Sequence, residues 1–312
     1  MKALYKILSF IIIPLLFQAC LKPQVDQDSV EFAKNDKEVK DFTDKIGGFT
    51  SQATPYGFTM YYKINHTTPK IDSLPKPTAG SQITVRYYGK LLSDTSKIFL
   101  DTYKDSLLYF AYNSNSVISG FEIGIGQMKK GQTAQFAIPS SLGFGKIANN
   151  QIPAYSSLYF YKVKLLDVRT EAQLLKAYAR MVSSKDTHNI KIIDTINPSG
   201  VYYVRVKMGS GNLITTGQNV TVWYRGMIAG DNRPFDPVPT NANPKPDPSK
   251  ITFNVGPTSN VITGFNDGVK FMRPGERGYI LIPSTSAYST TGSGSIPGYT
   301  PIVFRIDSIK VN

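Results

Sequence analysis

The sequence predicts an α+β protein built from two copies of one domain. Each copy is expected to be a twisted antiparallel β-sheet wrapped over one short helix, preceded by a leading helix. Three observations support this prediction. One segment occurs twice, strand-like alternation surrounds each copy, and 312 residues is a length typical of about two domains at ~150 residues each. Abundant Tyr, Phe, Gly and Pro favour β-structure with many turns.

The repeated segment aligns with its second copy without a gap. Residues 117–121 (Val-Ile-Ser-Gly-Phe) reappear 144 positions later as residues 261–265 (Val-Ile-Thr-Gly-Phe), and the match runs on to two Ile-Pro pairs. After each glycine, apolar residues fall at i, i+4 and i+7, which predicts a short helix with one buried face. Gly131 and Gly275 are expected to end these helices as left-handed caps.

The segments around the repeat predict strands and two further helices. Alternating apolar residues indicate strands at 57–62, 83–89 and 158–168, with counterparts at 200–205, 220–226 and 302–311. Helical spacing over 30–46 and 170–182 predicts a leading helix for each domain, and Thr170 with Gln173 forms a capping box. Each leading helix is a spacer, a packing element or a dimerisation arm. The five prolines of 237–250 predict an exposed loop.

The N-terminus has the features of a targeting segment. Lys2 and Lys6 precede the apolar run 7–17, which has the length of a signal peptide. The run is followed by Gln18, Ala19 and Cys20, the only cysteine of the chain. This ending resembles the lipobox of bacterial lipoproteins, whose cysteine is lipidated. The alternative is an ordinary signal peptide with an incidental cysteine.

Charge and histidine usage exclude several classes of function. The formal charge is +13, but the basic residues are scattered, which favours a surface facing anionic lipid or polysaccharide over nucleic-acid binding. His66 and His188 are the only histidines, and each lies in a polar stretch. We therefore expect no metal site, no histidine-based catalysis and no cofactor.

The ordered set of short motifs resembles the FKBP family, the macrolide-binding peptidyl-prolyl cis/trans isomerases. The set comprises Val-x-Tyr-x-Gly, an Asp preceded by an apolar residue, Val-Ile-x-Gly-aromatic, a Gly-x-x-x-Met-x-x-Gly helix and two Ile-Pro pairs. It occurs twice, over residues ~55–168 and ~200–312. The resemblance implies an apolar aromatic pocket in each domain that binds proline-containing segments.

The pocket residues follow from the resemblance, position by position. In the second domain it implies a catalytic pocket of Tyr224, Phe235, Asp236, Val261, Ile262, Phe265, Tyr288, Ile296 and Phe304, with Ile251 and Phe253 on a neighbouring strand. In the first domain it implies a substrate-binding pocket of Tyr87, Leu100, Asp101, Leu108, Val117, Ile118, Phe121, Phe144, Ile152 and Phe160, with Tyr161 as the alternative to Phe160.

Departures from the family pattern favour the second domain as the active one. Phe121 and Phe265 stand at the pocket floor, where the best-studied members have Trp. The first domain also has Leu100 in place of a Phe and Phe144 in place of a Tyr, which deletes a hydroxyl donor. The second domain keeps its Phe-Asp pair and Tyr288.

These observations predict a complete organisation and a function. Residues 1–19 are a signal peptide, 20–54 a tether and helix, 55–168 the first domain, 169–199 a helical linker and 200–312 the second domain. The predicted function is a prolyl isomerase, anchored by lipid on Cys20 to a membrane of the bacterial envelope, on the outer membrane, which assists folding of envelope proteins. The alternative is a non-catalytic binding or scaffold module of an envelope complex.

Overall fold

The computed structural model describes residues 26–65, 73–96, 98–103, 107–184, 192–196 and 198–312. The predicted signal peptide 1–19, together with Cys20, His66 and His188, lies outside the described residues. Within them the predicted α+β fold of two antiparallel sheets is confirmed.

The first sheet has seven antiparallel strands in the order β1-β2-β6-β7-β3-β4, with β5 also paired to β3. A helix, α1 (Gln27–Ile46), precedes the sheet, and α2 (Ser119–Gln127) lies between β5 and β6. The strand bounds are β1 Thr50–Ala53, β2 Thr59–Asn65, β3 Gln82–Leu91, β4 Ile98–Asp101, β5 Leu108–Ala111, β6 Thr133–Ile138 and β7 Leu158–Arg169.

The second sheet repeats this topology, in the order β11-β10-β14-β13-β9-β8 with β12 paired to β10. Its helices are α3 (Glu171–Ser184), which leads the domain, and α4 (Thr263–Val269). The strand bounds are β8 Ile192–Ile196, β9 Val201–Lys207, β10 Asn219–Ile228, β11 Pro234–Asp236, β12 Ser249–Asn254, β13 Arg277–Ile282 and β14 Ile302–Val311. The edge strands β1 and β8 lie in segments for which the sequence predicted only a helix with a tether or linker.

The short helices α2 and α4 occupy the hollow of each sheet, as predicted. Phe121, Ile125 and Met128 are buried in the first core, and their counterparts are buried in the second. The predicted caps are wrong in position, because α2 ends at Gln127 and α4 ends at Val269. Gly131 does adopt a left-handed φ of 88°, but it lies in the following turn, where its N–H donates to the Leu165 carbonyl.

The leading helices are packing elements on the outer faces of the sheets. Helix α3 begins with the predicted capping box, in which the Thr170 N–H donates to Gln173 Oε1 (3.0 Å) and the Gln173 N–H donates to Thr170 Oγ1 (3.2 Å). Its stripe, which includes Leu175, packs on outward-facing side chains of β9, β13 and β14. Helix α1 lies likewise on the first sheet through Val39. Among the described residues, no helix has both the length and the hydrophobicity needed to span a bilayer.

The two domains pack directly against each other. The Tyr109 ring of β5 lies among apolar residues of the second domain, and its hydroxyl donates to Gln82. Gln82 Nε2 donates in turn to the Tyr299 carbonyl (2.9 Å) across the interface. Within the second domain, Glu171 ties helix α3 to the segment after β13, because its carboxylate accepts from the Ser284 N–H and Oγ, each at 2.6 Å. Burial raises the pKa of Tyr109. The domains therefore have a fixed relative arrangement.

The close packing of Tyr109 against the second domain requires a glycine at position 230, and replacing Gly230 tests this packing. A Cβ at Gly230 would overlap the Tyr109 ring. We expect Gly230→Ala to lower the free energy of unfolding by about 1–3 kcal/mol, because the ring must move or the domains must separate. Urea titration followed by the fluorescence of Trp223, the only tryptophan, measures the change. In the Tyr109→Ala background the same substitution should cost little, so strictly additive effects would contradict the packing argument.

Candidate functional site

The second domain contains an apolar cavity of about 260 Å³ between the sheet and α4. Strands β10, β12 and β14 and the entry to α4 supply its walls, and the segment after β13 closes one side. The lining residues are Tyr224, Ile251, Asn260, Val261, Ile262, Phe265, Tyr288 and Phe304. The structure thus brings together six of the nine residues that the sequence predicted for this site, with Ile251 of the neighbouring strand.

Three aromatic rings form a cup at the base of this cavity. Phe265 of α4 lies edge-on to Tyr224 at 5.6 Å between ring centroids and to Phe304 at 4.7 Å. Tyr224 and Phe304 meet at 5.3 Å with an interplanar angle of 76°. Edge-to-face contacts of this kind hold each ring in one orientation. The cup is therefore a rigid, apolar surface.

Polar groups stand at the rim of the cup. The Tyr224 hydroxyl donates to Asp236 Oδ2 (2.5 Å), and the Ser249 hydroxyl donates to Asp236 Oδ1 (2.5 Å). Burial, followed by the hydrogen bond to Asp236, raises the pKa of Tyr224, and burial raises the pKa of Tyr288. Both phenols are neutral donors at pH 7. In the described part of the chain, the Ile262 N–H donates to no protein acceptor.

The first domain contains the matching cavity, which is larger, at about 430 Å³. Its lining residues are Tyr87, Leu100, Leu108, Asn115, Ser116, Val117, Ile118, Phe121, Phe144 and Phe160. The cup is repeated: Phe121 lies 5.1 Å from Tyr87 and 5.0 Å from Phe160, and Tyr87 lies 5.3 Å from Phe160 at 76°.

The strand register resolves the ambiguity in the last strand. Gly89 pairs with Phe160 in the first sheet as Gly226 pairs with Phe304 in the second. Tyr161 instead stacks on Tyr88 with ring centroids 5.3 Å apart. A register shift next to Gly89 absorbs the extra residue of this strand. Phe160 is therefore the structural counterpart of Phe304.

Five predicted site residues lie beside the cavities rather than in their linings, as far as the described residues show. Ile152 and Ile296 are buried in the two cores. Phe235 supports the cup from behind, with its ring 5.7 Å from that of Phe304. Asp236 accepts a hydrogen bond from the lining residue Tyr224, and Asp101 accepts from the Tyr103 N–H (2.8 Å).

Sequence reasoning missed the polar residues that come just before the two Val-Ile pairs. Asn260 lines the second cavity, and Asn115 and Ser116 line the first. Their position directly before a motif that enters the pocket was the available signal. The proline-rich loop supplies no residue to the lining of the second cavity, and Arg225 Nη1 holds it through the Pro246 carbonyl (2.6 Å).

The sequence is similar to several curated proteins over part of their length. It is 33% identical over 140 residues to "FK506-binding protein 4" of Aspergillus fumigatus, covering 45% of this chain and 28% of that protein. It is 27% identical over 150 residues to "FKBP-type peptidyl-prolyl cis-trans isomerase FkpA" of Buchnera aphidicola, covering 44% of this chain and 56% of that protein. The chain thus matches less than two thirds of the length of these relatives.

Two further comparisons concern a solved structure and a family model. The crystal structure of FkpA from Escherichia coli superposes with a TM-score of 0.36 at 26% identity, covering 46% of this chain and 63% of that one. The family described as FKBP-type peptidyl-prolyl cis-trans isomerase matches residues 74–166 and 211–309, which together exceed half of the chain. With a match in each of its two domains, the chain belongs to the FKBP-type peptidyl-prolyl cis-trans isomerase family.

Proposed function

We propose that this protein catalyses cis/trans isomerisation of prolyl peptide bonds in its two aromatic cups. The observation that carries the proposal is the repetition of the cup. Tyr224 and Phe304 in the second domain, and Tyr87 and Phe160 in the first, meet at the same 5.3 Å and 76°. An apolar cup with a few polar groups at its rim suits a pyrrolidine ring flanked by two amide groups.

The cup lowers the rotational barrier by differential binding. Resonance in the amide gives a barrier of ~18–20 kcal/mol, and unaided exchange of a prolyl bond takes ~10–100 s. The planar ground state is the more polar state, so moving it from water to an apolar surface destabilises it more than the twisted transition state. Lowering the barrier by ~4–7 kcal/mol would accelerate exchange by about three to five decades. The mechanism requires neither a nucleophile nor a proton shuttle.

The second domain has the groups that suit catalysis. Phe265 forms the floor beneath the pyrrolidine ring, while Tyr224 and Phe304 form walls. The N–H of Ile262 and the hydroxyl of Tyr288 are the donors for substrate carbonyl groups. Asp236 fixes the Tyr224 hydroxyl through a hydrogen bond of 2.5 Å and so orients the rim. We assign the larger share of activity to this domain.

A second candidate function applies to the first domain. Its cavity is larger than that of the second domain, and its lining has Phe144 in place of Tyr288, so it lacks the Tyr288 hydroxyl donor. It also has Leu100 where the second domain has Phe235 behind the cup. These features suit retention of an apolar prolyl segment better than turnover. In this role the first domain is a binding module. The prolyl segments that it binds come from proteins of the cell envelope.

Filling both cavities tests the proposed function. We expect the whole chain to accelerate isomerisation of a Leu-Pro peptide, and the double variant Val117→Trp and Val261→Trp to lose that acceleration. Both valines are half-buried at the cavity walls, so a larger side chain there fills the cavity with little disturbance of the core. Arg277→Ala, an exposed substitution on β13, is the control. Unchanged acceleration in the double variant would show that the cups are not the site.

The proposal extends to a lipid anchor at Cys20, which places the protein in the bacterial envelope, on the outer membrane. In bacterial cells we expect incorporation of labelled palmitate and recovery in the membrane fraction, both lost in Cys20→Ala. The physical reason is that acyl chains contribute about 0.8 kcal/mol of membrane affinity per buried methylene group. Gln18→Ala is the matched control. Absence of label in the unmodified protein would leave an ordinary secreted protein, and equal labelling of Cys20→Ala would show that Cys20 is not the lipidated residue.

A further inference from the structure

A further cavity, of about 310 Å³, adjoins the pocket of the first domain and is lined by residues of both domains. We call it the inter-domain groove. Leu107, Leu108 and Val117 line it from the first domain, and Ile228, Arg233 and Pro297 line it from the second. Leu108 and Val117 also line the first pocket, so the two cavities share a wall.

The groove has fixed walls because the domains are locked together beside it. Tyr109, which also lines the groove, is the residue whose ring packs into the second domain against Gly230. The hydrogen bond from Gln82 to the Tyr299 carbonyl ties the same region across the interface. The groove is therefore a preorganised surface, and binding there costs little conformational entropy.

The lining of the groove indicates what it accepts. Apolar residues form most of the lining, and Leu107 is 44% exposed although it is a large apolar side chain. The polar lining residues are Ser116, Asp231, Arg233 and Thr300. At the rim, Arg233 is paired with Asp231 at 3.7 Å, and its side chain is 57% exposed. An aliphatic wall with guanidinium N–H donors at its edge suits an apolar side chain on an extended backbone whose carbonyl groups accept from Arg233.

From this geometry we propose that the second domain selects the substrate of the first: a polypeptide with its proline in the first pocket places a flanking apolar residue in the inter-domain groove, against Arg233. The proposal rests on the proposed prolyl binding in the first pocket. An extended chain advances ~3.3–3.6 Å per residue, so cavities with a common wall are reached by a residue within about four positions of the proline. Segments rich in apolar residues around proline are the substrate class.

The test compares three peptides with the whole chain carrying Val261→Trp, which fills the second pocket. One is a short blocked Leu-Pro peptide, one adds four residues on each side including leucines, and one has serines in place of those leucines. Fluorescence anisotropy gives each Kd. We expect the leucine-flanked peptide to bind about 5- to 10-fold more tightly than the serine-flanked one, the gain from burying one aliphatic side chain.

Two variants then test whether the groove residues provide this gain in affinity. Leu107→Ser and Arg233→Ala should each remove about 3- to 10-fold of the affinity for the leucine-flanked peptide and none for the short one. Arg277→Ala, which removes a charge outside the groove's lining, should change the affinity for neither peptide. If the two long peptides bind equally, or if the gain persists in both Leu107→Ser and Arg233→Ala, the groove proposal is wrong.

The first pocket is checked separately, so that the two proposals fail in different ways. Phe160→Ala, or Leu100→Trp if the former does not fold, should weaken all three peptides, because these residues line only the pocket. If the short peptide binds both variants as tightly as the parent chain, the proposal of prolyl binding in the first pocket is wrong. Binding that requires the pocket, with no contribution from Leu107 or Arg233, would overturn the groove alone.

Discussion

Glu276→Ala is expected to lower the free energy of unfolding of the second domain by about 3–5 kcal/mol, because it removes one partner of a buried ion pair. Glu276 is 0% exposed. Its Oε1 accepts from the Tyr203 hydroxyl (2.5 Å) and from Arg205 Nε (2.6 Å), and its Oε2 accepts from the Arg273 N–H (3.1 Å). Without the carboxylate, the 19%-exposed Arg205 keeps an uncompensated charge and the Tyr203 hydroxyl loses its acceptor.

Urea unfolding followed by Trp223 fluorescence measures this loss, since the only tryptophan lies on β10 of the second domain. The matched control is Gln132→Ala at the equivalent position of the first domain. Gln132 is 3% exposed, and its Oε1 accepts from the Lys129 N–H (2.6 Å). It carries no charge, so we expect a cost of about 1–3 kcal/mol and little change in the Trp223 transition. A Trp223 transition that shifts no further in Glu276→Ala than in Gln132→Ala would contradict the ion-pair argument.

The sequence was sufficient for the parts of the fold that periodicity encodes. The repeat predicted α2 and α4, and helical spacing predicted α1 and α3 with the capping box of Thr170 and Gln173. The partners of Glu276 could not be predicted in this way. Arg205 and Tyr203 reach it only because β9 lies beside β13, with Arg205 opposite Gly278 across a register shift. Such pairing is a tertiary property that no local pattern records.

The residues of the site also fall into those that the sequence could predict and those that depend on tertiary structure. Six lining residues of the second cavity lie on the repeated motif or its flanking strands, and the resemblance to a family supplied their positions. The identity of Phe160 depended on a bulge that one sequence does not reveal. The inter-domain contact of Tyr109 with Gly230 joins residues in different copies of the repeat, so neither copy alone predicts it. The short polar strand β1 escaped notice because Thr50–Ala53 lacks apolar alternation.

Phe304→Ala is expected to lower kcat/KM for a Leu-Pro peptide by about 10- to 100-fold, which corresponds to ~1.4–2.7 kcal/mol of transition-state stabilisation. Phe304 contacts the rings of Phe265, Tyr224 and Phe235, so its loss opens the cup and readmits water to the amide. Because Phe304 is also a core residue, 6% exposed, each variant must first show a native Trp223 emission. Phe304→Leu is the control that keeps an apolar wall.

The equivalent substitution Phe160→Ala decides how catalysis is shared between the domains. Its ring contacts Phe121 and Tyr87 at 5.0 Å and 5.3 Å, so both variants remove the equivalent two contacts within the cup, and Phe304→Ala also removes the contact with Phe235 behind it. The rim also differs, because the second domain has Tyr288 in its cavity lining and the first has Phe144. If donors at the rim matter for turnover, Phe304→Ala removes most of the activity and Phe160→Ala less than half. Equal losses would assign catalysis to the aromatic cup itself, and a larger loss in Phe160→Ala would make the roomier first pocket the principal catalyst.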